Sequence, residues 1–382
     1  MARRVTIVGP AHPLRGGGMA TFNERLAYAF QEAGDEVEIV TFSLQYPSFL
    51  FPGKSQYTTE PAPAGLRIKA LINSINPLSW WRTGRYIQQQ RPDLVIFRYW
   101  LPFMGPALGT IARLIRRNKY SRVLAITDNV VPHEKRPGDV PFTKYFFSSC
   151  HGFVTMSRSV QEDLQQFEPR KPSAYLPHPL YDNFGEAEPK EAACAALNLD
   201  PTCNYILFFG FIRAYKGLDL LLQAMADPQV KELQGLKLIV AGEYYEDAAP
   251  YLQQIEQLQL QDRLVLRTDF IPNAEVRHYF CAADLVVQPY RHATQSGVTQ
   301  VAYHFDKPMV VTRVGGLSEL VPDGEVGYVV EPQPEAIAAA IRQFYTSGAA
   351  ATFSRNISKY KQRFSWSRFV AAVRELADKV RS

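Results

Sequence analysis

Short runs of strand-forming residues alternate with amphipathic segments along the first half of the chain. The helix predicted at 19–33 places Phe22, Leu26 and Phe30 on one face, and Gly34 ends it. Runs rich in Val, Ile and Phe predict strands at 4–9, 36–42, 94–99, 123–127 and 152–157. Short apolar strands separated by helices are typical of a parallel sheet that is covered on both faces.

The alternation restarts in the second half, with strands predicted at 205–210, 237–242, 264–270, 284–289 and 308–312. Two such series predict an α/β protein of two doubly wound, Rossmann-like domains. A proline-rich stretch at 171–185 has the composition of a linker between them. We therefore expect one domain at 1–175 and a second at 176–364. Because ligands bind at the carboxyl ends of such strands, the domains are expected to share a central cleft.

Composition narrows the class of protein. The chain has 382 residues, of which 46% are hydrophobic and 21% charged. This length and apolar content are sufficient for two domains that each bury a hydrophobic core. No apolar stretch approaches the ~20 residues that span a bilayer, and MARRVTIVGP has the pattern of a first strand rather than of a signal peptide. The four cysteines are scattered without a CxxC motif, which is typical of reduced thiols in a cytoplasmic protein.

The charge is unevenly distributed. Residues 1–190 hold 23 Lys and Arg against 16 Asp and Glu, a net of +7, whereas the remainder has a net of −2. This imbalance predicts an anionic partner, but no helix-turn-helix, zinc-finger or RNP pattern indicates nucleic acid. The basic residues of 113–122 and the aromatic segment SWWRTGRY favour peripheral binding to an anionic membrane surface at the inner face. The side chains of that segment that suit a lipid headgroup are Trp80, Trp81, Arg82 and Arg85. Alternatively, both tryptophans belong to the core and the arginines are solvated.

The segment YILFFGFIRAYKG at 205–217 carries the clearest chemical signal. A buried strand ends at Gly210, a loop brings Arg213 and Lys216, and a helix opens at Gly217. Cations beside the free N–H groups of a helix start are suited to binding a diphosphate. An ordinary loop with solvated cations is the alternative.

Two further loops have compositions suited to a phosphate or a sugar. The glycines at 16–18 follow the first strand and let the backbone approach a ligand, although a flexible surface turn has the same composition. They are not part of a GxGxxG dinucleotide fingerprint. Ser296 is a candidate N-cap, so the N–H groups of Gly297 and Val298 are expected to point at an anion.

These motifs, in this order, resemble the retaining, GT-B-fold, nucleotide-sugar glycosyltransferases of the glycosyl transferases group 1 superfamily, family four type. The resemblance covers nearly the whole chain and includes GGG, FIRAYKG and PYRHATQSGV. Its most specific part is KPMVVTRVGGLSELVPDGEVGYVV at 307–330, which predicts a strand, a Gly-Gly turn, a helix, and then Asp-Gly and Gly-Tyr turns. The resemblance implies that the first domain meets the acceptor and the second binds the donor. It also implies that RFSWSRFV and a helix at 365–382 cross back to the first domain.

The resemblance gives roles to particular residues. Gly18, with Gly17 beside it, is expected next to the donor diphosphate. Glu319 is expected at a helix start as the one family carboxylate retained in this region. Glu243 follows a strand at its carboxyl end and is a base, a ribose contact or a surface acid. Asp128 stands where the family often has His, and it either accepts hydrogen bonds from sugar hydroxyls or makes a plain turn.

The chain also departs from the family. Two glutamates eight residues apart are usual, but Ala293 and Val301 occupy those positions. The polar residues left to replace the pair are Thr294, Gln295 and Gln300. His133 in a loop, and His178 where the family often has Asn, are looser candidates to face the cleft.

The reaction that the resemblance implies is transfer of a sugar from a nucleoside-diphosphate sugar to an acceptor hydroxyl, with retained anomeric configuration, in polysaccharide or glycolipid synthesis. Arg213, Lys216 and the helix start at Gly297 would stabilise the leaving diphosphate. The acceptor is a glycan, a lipid-linked sugar or another hydroxyl compound. The absence of a DxD motif predicts that no metal or other cofactor is used.

Two alternatives remain open. A sugar-nucleotide epimerase on the same fold would need acid and base residues around the sugar, and few are evident. A catalytically silent nucleotide-sugar-binding protein is favoured by the missing Glu pair and disfavoured by the retained Arg213 and Lys216.

Overall fold

A computed structural model gives the fold and describes residues 2–15, 18–47, 55–131, 137–293 and 296–380. The chain forms two compact units. Unit 1 comprises Met1–Pro179 and Phe364–Ser382, and unit 2 comprises Leu180–Arg363. In the described part of the chain, no helix combines the length and the apolar character needed to cross a bilayer.

Unit 1 is built on a seven-stranded parallel sheet in the order β3-β2-β1-β4-β5-β6-β7. The strands are β1 (Arg4–Val8), β2 (Glu36–Leu44), β3 (Arg67–Asn73), β4 (Leu94–Tyr99), β5 (Arg122–Thr127), β6 (Gly152–Thr155) and β7 (Ser173–Tyr175). Strand β1 pairs with both β2 and β4, with Val5 opposite Val37 and Leu94. The strand order therefore reverses between β1 and β4, where doubly wound sheets open a ligand crevice.

The helices of unit 1 that come before Pro179 cover both faces of this sheet. All six residues of β4 are buried as a result. They are α1 (Gly18–Glu32), α2 (Pro77–Gln90), α3 (Gly105–Arg116), α4 (Asp139–Phe147) and α5 (Arg158–Phe167).

Unit 2 is built on a six-stranded sheet in the order β10-β9-β8-β11-β12-β13, also parallel. The strands are β8 (Asn204–Phe209), β9 (Leu236–Ala241), β10 (Leu264–Arg267), β11 (Leu285–Gln288), β12 (Met309–Thr312) and β13 (Gly327–Val330). Here the strand order reverses between β8 and β11, so the loops after these two strands flank the expected crevice.

The remaining helices complete the chain. Those of unit 2 are α6 (Lys190–Leu197), α7 (Leu218–Ala226), α8 (Pro228–Lys231), α9 (Ala249–Gln257), α10 (Val276–Ala282), α11 (Gly297–His304), α12 (Pro334–Ser347) and α13 (Ala350–Tyr360). Helix α14 (Trp366–Lys379) belongs to unit 1. Its Trp366 and Phe369 rings lie 5.1 and 5.9 Å from the ring of Phe22 on α1, which gives the apolar residues of RFSWSRFV their partner. Short 3₁₀ turns lie at Pro102–Met104, Ala214–Lys216, Gln261–Arg263, Gly315–Leu317 and Lys361–Phe364.

The two doubly wound α/β domains predicted from the sequence are confirmed, with three local corrections. The proline-rich stretch at 171–185 is not all linker, because Ser173–Tyr175 forms edge strand β7. The predicted Gly-Tyr turn is wrong, because Gly327 and Tyr328 lie in β13 and pair with Met309 and Val310. Strand β3 was not predicted. Only Ile72 of its seven residues is fully buried, and the apolar Leu71 interrupts the alternation of Ile68, Ala70 and Ile72 with polar residues.

Candidate functional site

The loop after β8 is held in place by the loop after the neighbouring strand β9. The backbone N–H of Ile212 donates to the carbonyl oxygen of Glu243 at 2.9 Å, and that of Tyr245 donates back to Ile212 at 3.0 Å. The ring of Phe211 stacks on Tyr245 with centroids 4.1 Å apart, and the guanidinium of Arg213 lies 5.1 Å from the same Tyr245 ring. Arg213 is thereby positioned at the carboxyl end of the sheet.

Lys216 is a buried cation. Its side chain is 9% exposed, and Nζ lies 5.5 Å from the ring centroid of Tyr290. Burial, with the neighbouring charge of Arg213, lowers the pKa of Lys216 from 10.5 to about 8. Within the residues that the structure describes, no carboxylate pairs with Arg213 or with Lys216. Two adjacent cations without a counter-ion make a site that an anion would stabilise.

Arg291 also stabilises the loop after β8 through hydrogen bonds. Its guanidinium donates to both carboxylate oxygens of Asp219, at 2.7 and 2.6 Å, and to the carbonyl oxygen of Ala214 at 3.0 Å. Its backbone N–H donates to the carbonyl oxygen of Tyr215 at 2.7 Å. Arg291 therefore neutralises Asp219, the acid nearest in sequence to the two cations, so that Asp219 does not pair with Arg213 or Lys216.

The N-terminus of α11 lies against the same loop. A Cβ built on Gly210 would lie 2.9 Å from Nζ of Lys216 and 3.8 Å from Cγ2 of Val298, so both side chains converge on this glycine. Ser296 is the N-cap of α11 but does not cap it with its side chain. The first N–H groups of the helix therefore have no side-chain acceptor among the described residues, and the helix dipole adds partial positive charge there.

Close backbone approaches explain two of the glycines. A Cβ on Gly217, which has φ +66°, would lie 2.1 Å from the carbonyl oxygen of Pro289, and one on Gly297 would lie 2.7 Å from the ring of Tyr181. Glycine at 217 lets the loops after β8 and β11 touch, and glycine at 297 leaves room for the ring of Tyr181 at the start of α11. The side chains of Lys216 and Val298 therefore lie near the same glycine, Gly210, while the binding site predicted from Arg213, Lys216, Gly297 and Val298 stays a prediction.

Two buried glutamine side chains, Gln300 and Gln288, lie on α11 and at the end of β11, the elements on either side of the loop after β11. Gln300 on α11 is fully buried, and neither atom of its amide has a hydrogen-bond partner in the described chain. Gln288 at the end of β11 accepts from the hydroxyl of Thr299 at 3.2 Å, while its Nε2 has no partner there.

The two carboxylates predicted to contact the donor, Glu243 and Glu319, differ in burial and in local structure. Glu243 is half-buried and follows β9 through Gly242, whose φ of +140° turns the chain. The expectation that Glu319 starts a helix is wrong, because Gly315–Leu317 forms only a 3₁₀ turn, and Glu319 is an exposed turn residue after it. Glu319 is therefore not at the N-terminus of an α-helix.

In unit 1 the structure brings Asp128 and His178 together around Arg98 of β4. The guanidinium of Arg98 donates to both carboxylate oxygens of Asp128 at 2.6 Å, and it lies 4.0 Å above the ring of Phe22. The Phe22 ring also meets the imidazole of His178, with centroids 5.0 Å apart. Burial, with a contribution from the charge of Arg98, lowers the pKa of His178 to about 3, so this histidine stays neutral. Its Nδ1 donates to the carbonyl oxygen of Pro179 at 2.6 Å.

Gly18 is exposed and forms the first residue of α1. Four of the predicted site residues lie outside the described residues, namely Gly17, His133, Thr294 and Gln295.

Sequence reasoning missed Arg98, Arg291 and Tyr181. Arg98 lies in an otherwise apolar strand, LVIFRY, and a charge there is a signal that the sequence analysis did not use. Arg291 and Asp219 are 72 residues apart, and no local pattern links them.

Comparison with known proteins identifies the family. Residues 16–180 match the family model "Glycosyltransferase Family 4", and residues 203–347 match "Glycosyl transferases group 1". These matches take in both units and confirm the resemblance seen in the sequence: the chain belongs to the group 1 superfamily of glycosyltransferases.

Individual relatives are more distant. The D-inositol 3-phosphate glycosyltransferase of Mycolicibacterium gilvum is 29% identical over 188 residues, which are 48% of this chain and 41% of that protein. The chain thus spans less than half the length of the first curated relatives that it matches.

Two solved structures share the fold over nearly the full length. The sucrose-phosphate synthase of Thermosynechococcus elongatus superposes with a TM-score of 0.74 at 18% identity, covering 99% of each chain. The Anabaena protein HepE, solved in complex with UDP, gives a TM-score of 0.72 at 16% identity and covers 98% of this chain and 99% of its own.

Proposed function

We propose that the protein transfers a sugar from a nucleoside-diphosphate sugar to an acceptor hydroxyl with retention of the anomeric configuration. The observation that carries this proposal is that Arg213 and Lys216, which pair with no carboxylate of the described residues, lie beside the start of α11, which Ser296 does not cap with its side chain. The names of the related proteins support it, since they include glycosyltransferases and structures solved with UDP and with UDP-glucose.

The reaction that this arrangement supports breaks the bond between the anomeric carbon and the β-phosphate oxygen. The acceptor oxygen forms the new bond on the same face of the sugar, and its proton passes to the departing diphosphate. Negative charge grows on that diphosphate in the transition state, where Arg213, Lys216 and the N–H groups of Gly297 and Val298 stabilise it. Groups that their neighbours hold rigidly need little reorganisation in the transition state, and the contacts of Arg213 and Lys216 with Tyr245 and Tyr290 support such rigidity.

We assign the donor to unit 2 and the acceptor to unit 1. In unit 1, both carboxylate oxygens of Asp128 accept from Arg98, and we assign this carboxylate as a hydrogen-bond acceptor for a sugar hydroxyl. The basic surface of the first half favours an anionic or lipid-linked acceptor at the inner face of a membrane. Metal independence stays a prediction. The described residues hold no group of three or more His, Cys, Asp and Glu side chains placed to bind an ion.

A two-stage experiment tests the proposal. Thermal melting is recorded with UDP, GDP and ADP, since a bound nucleotide raises the melting temperature by mass action. The nucleotide that binds is then supplied as its sugar, with and without candidate acceptors, and the products are followed by mass spectrometry and NMR. A glycosylated acceptor with retained configuration supports the proposal. An epimerised donor formed without acceptor would indicate an epimerase. Binding without turnover of any kind would indicate a silent binding protein.

A further inference from the structure

One face of α2 presents apolar and basic side chains to solvent. Ile75 precedes the helix, and Leu78, Trp81, Arg82 and Arg85 recur at the three- and four-residue spacings that share a helix face. The exposed fractions of Ile75, Leu78 and Trp81 are 51%, 52% and 53%. These five residues are called the basic apolar face below.

The opposite side of α2 is fixed to the rest of unit 1, so the basic apolar face cannot turn inward. Thr83, Gly84 and Ile87 are buried, and a Cβ on Gly84 would lie 2.7 Å from Cδ1 of Leu114 on α3. Trp80 also lies on the inner side, where its indole N–H donates to the carbonyl oxygen of Asn73 at 2.7 Å. The two neighbouring tryptophans therefore differ, since Trp80 packs inward and Trp81 points outward.

The charged residues of the basic apolar face are both arginines, although two nearby cations of β3, Arg67 and Lys69, pair with Glu36 and Glu38 of β2. Residues 61–92 contain five Lys and Arg and no Asp or Glu. Neither Arg82 nor Arg85 pairs with a carboxylate of the described chain, and the one side-chain contact of Arg85 is to Oε1 of Gln88 at 3.3 Å. A second copy of the chain would bring like charges together on this face, whereas an anionic surface would neutralise them.

We propose that the basic apolar face docks on an anionic lipid bilayer. Leu78 and Trp81 would enter the region between headgroups and acyl chains, while Arg82 and Arg85 bind lipid phosphates. Exposed aromatic and aliphatic side chains flanked by arginines have the chemistry of such an interface. The docking deepens the proposed function by naming where a lipid-linked acceptor is met. It is measured without nucleotide or transfer, so the failure of one proposal is distinguishable from the failure of the other.

Co-sedimentation of the full chain tests the electrostatic part. The vesicles are phosphatidylcholine alone, or phosphatidylcholine mixed with phosphatidylglycerol. We expect binding to the mixed vesicles only, weakened by high salt. Arg82→Gln and Arg85→Gln should each reduce the partition coefficient about fivefold, the effect of one cation near an anionic surface. The matched control is Arg342→Gln with Arg355→Gln, two exposed arginines of unit 2 that should change nothing.

Trp81 serves as its own probe. The described residues include all four tryptophans, of which Trp100 and Trp366 are buried and Trp80 half-buried, so lipid contact should shift the emission of Trp81 to the blue. Trp81→Phe should abolish the shift while the protein still binds. Trp81→Ser should lower vesicle binding about tenfold. Leu252→Ser, which removes a side chain that is 48% exposed in unit 2, is the control.

Three results would overturn the inference. One is equal, salt-insensitive recovery with neutral and anionic vesicles. Another is unchanged binding by Trp81→Ser and by both arginine variants, once circular dichroism shows that they are folded. The third is a change of molecular mass in light scattering by these variants without any vesicle binding, which would assign the face to a second copy of the chain.

Discussion

Arg98 and Asp128 form a buried, two-pronged ion pair, with both N–O distances at 2.6 Å and side chains that are 2% and 9% exposed. The two residues lie at or just after the ends of neighbouring strands β4 and β5, whose register sets Tyr99 opposite Thr127. A charge in this position is costly to bury alone, so each residue depends on the other. Asp128 therefore has a structural role in unit 1 beside the proposed contact with the sugar.

Asp128→Asn should lower the free energy of unfolding by about 3–5 kcal/mol, because it leaves the guanidinium of Arg98 buried without its counter-ion. Urea denaturation measures the change. The double variant Arg98→Met/Asp128→Leu should recover much of the loss, since it removes both charges and keeps the volume. If Asp128→Asn unfolds at the urea concentration of the parent protein, the pair does not stabilise unit 1.

Lys216→Ala and Arg213→Ala should each lower kcat/KM by about 10²-fold or more, because each removes a charge-assisted contact to the leaving diphosphate. Steady-state transfer assays measure the change once the donor is identified. Lys359→Ala, an exposed cation on α13, is the control and should transfer at the parent rate. A near-normal rate in either site variant would remove that residue from the diphosphate site.

Nucleotide binding should take up protons near pH 8–9, because an anionic diphosphate stabilises the charged form of Lys216, whose pKa in the free protein is about 8. Titration calorimetry in buffers of different ionisation enthalpy counts these protons. Lys216→Met should abolish the uptake, and a parent protein that takes up none at pH 8.5 would contradict the prediction.

The amino group of Lys216 also influences the free energy of unfolding of the protein without ligand. Its pKa in the folded chain lies below the 10.5 of an unperturbed lysine, so the unfolded chain binds more protons between pH 8 and 10.5. The contribution of Lys216 to the free energy of unfolding should therefore rise with pH across that window. Comparison of urea denaturation for the parent and Lys216→Met isolates it.

Gly217→Ala should destabilise the protein far more than Gly348→Ala. The two glycines have φ of +66° and +67°, so alanine meets the same backbone strain at both, about 1 kcal/mol. Only at Gly217 would the new Cβ meet an atom, the carbonyl oxygen of Pro289 at 2.1 Å, whereas Gly348 has nothing within 4 Å. We expect a loss of at least about 3 kcal/mol at Gly217, with loss of nucleotide binding. Equal melting temperatures for the two variants would mean that the loop relaxes freely.

The local sequence pattern was sufficient to predict many of the helices and strands of this protein. The helix with Phe22, Leu26 and Phe30 is present at Gly18–Glu32, because its apolar spacing depends only on neighbouring residues. The strand at 205–210 is present at Asn204–Phe209, one residue earlier at each end. Strand β13 was missed because its glycine and tyrosine have the composition of a turn, and pairing with β12 decides the outcome.

By itself the sequence determined the α/β class, the family, and the placing of two cations between a buried strand and a helix start. These follow from periodicity and motif, which are properties of adjacent residues. Only the tertiary structure decided that Arg291 neutralises Asp219, that Asp128 is held by Arg98, and which of two adjacent tryptophans faces solvent. Those outcomes depend on residues that are distant in the chain, and burial and pairing with them set the energy of each charge.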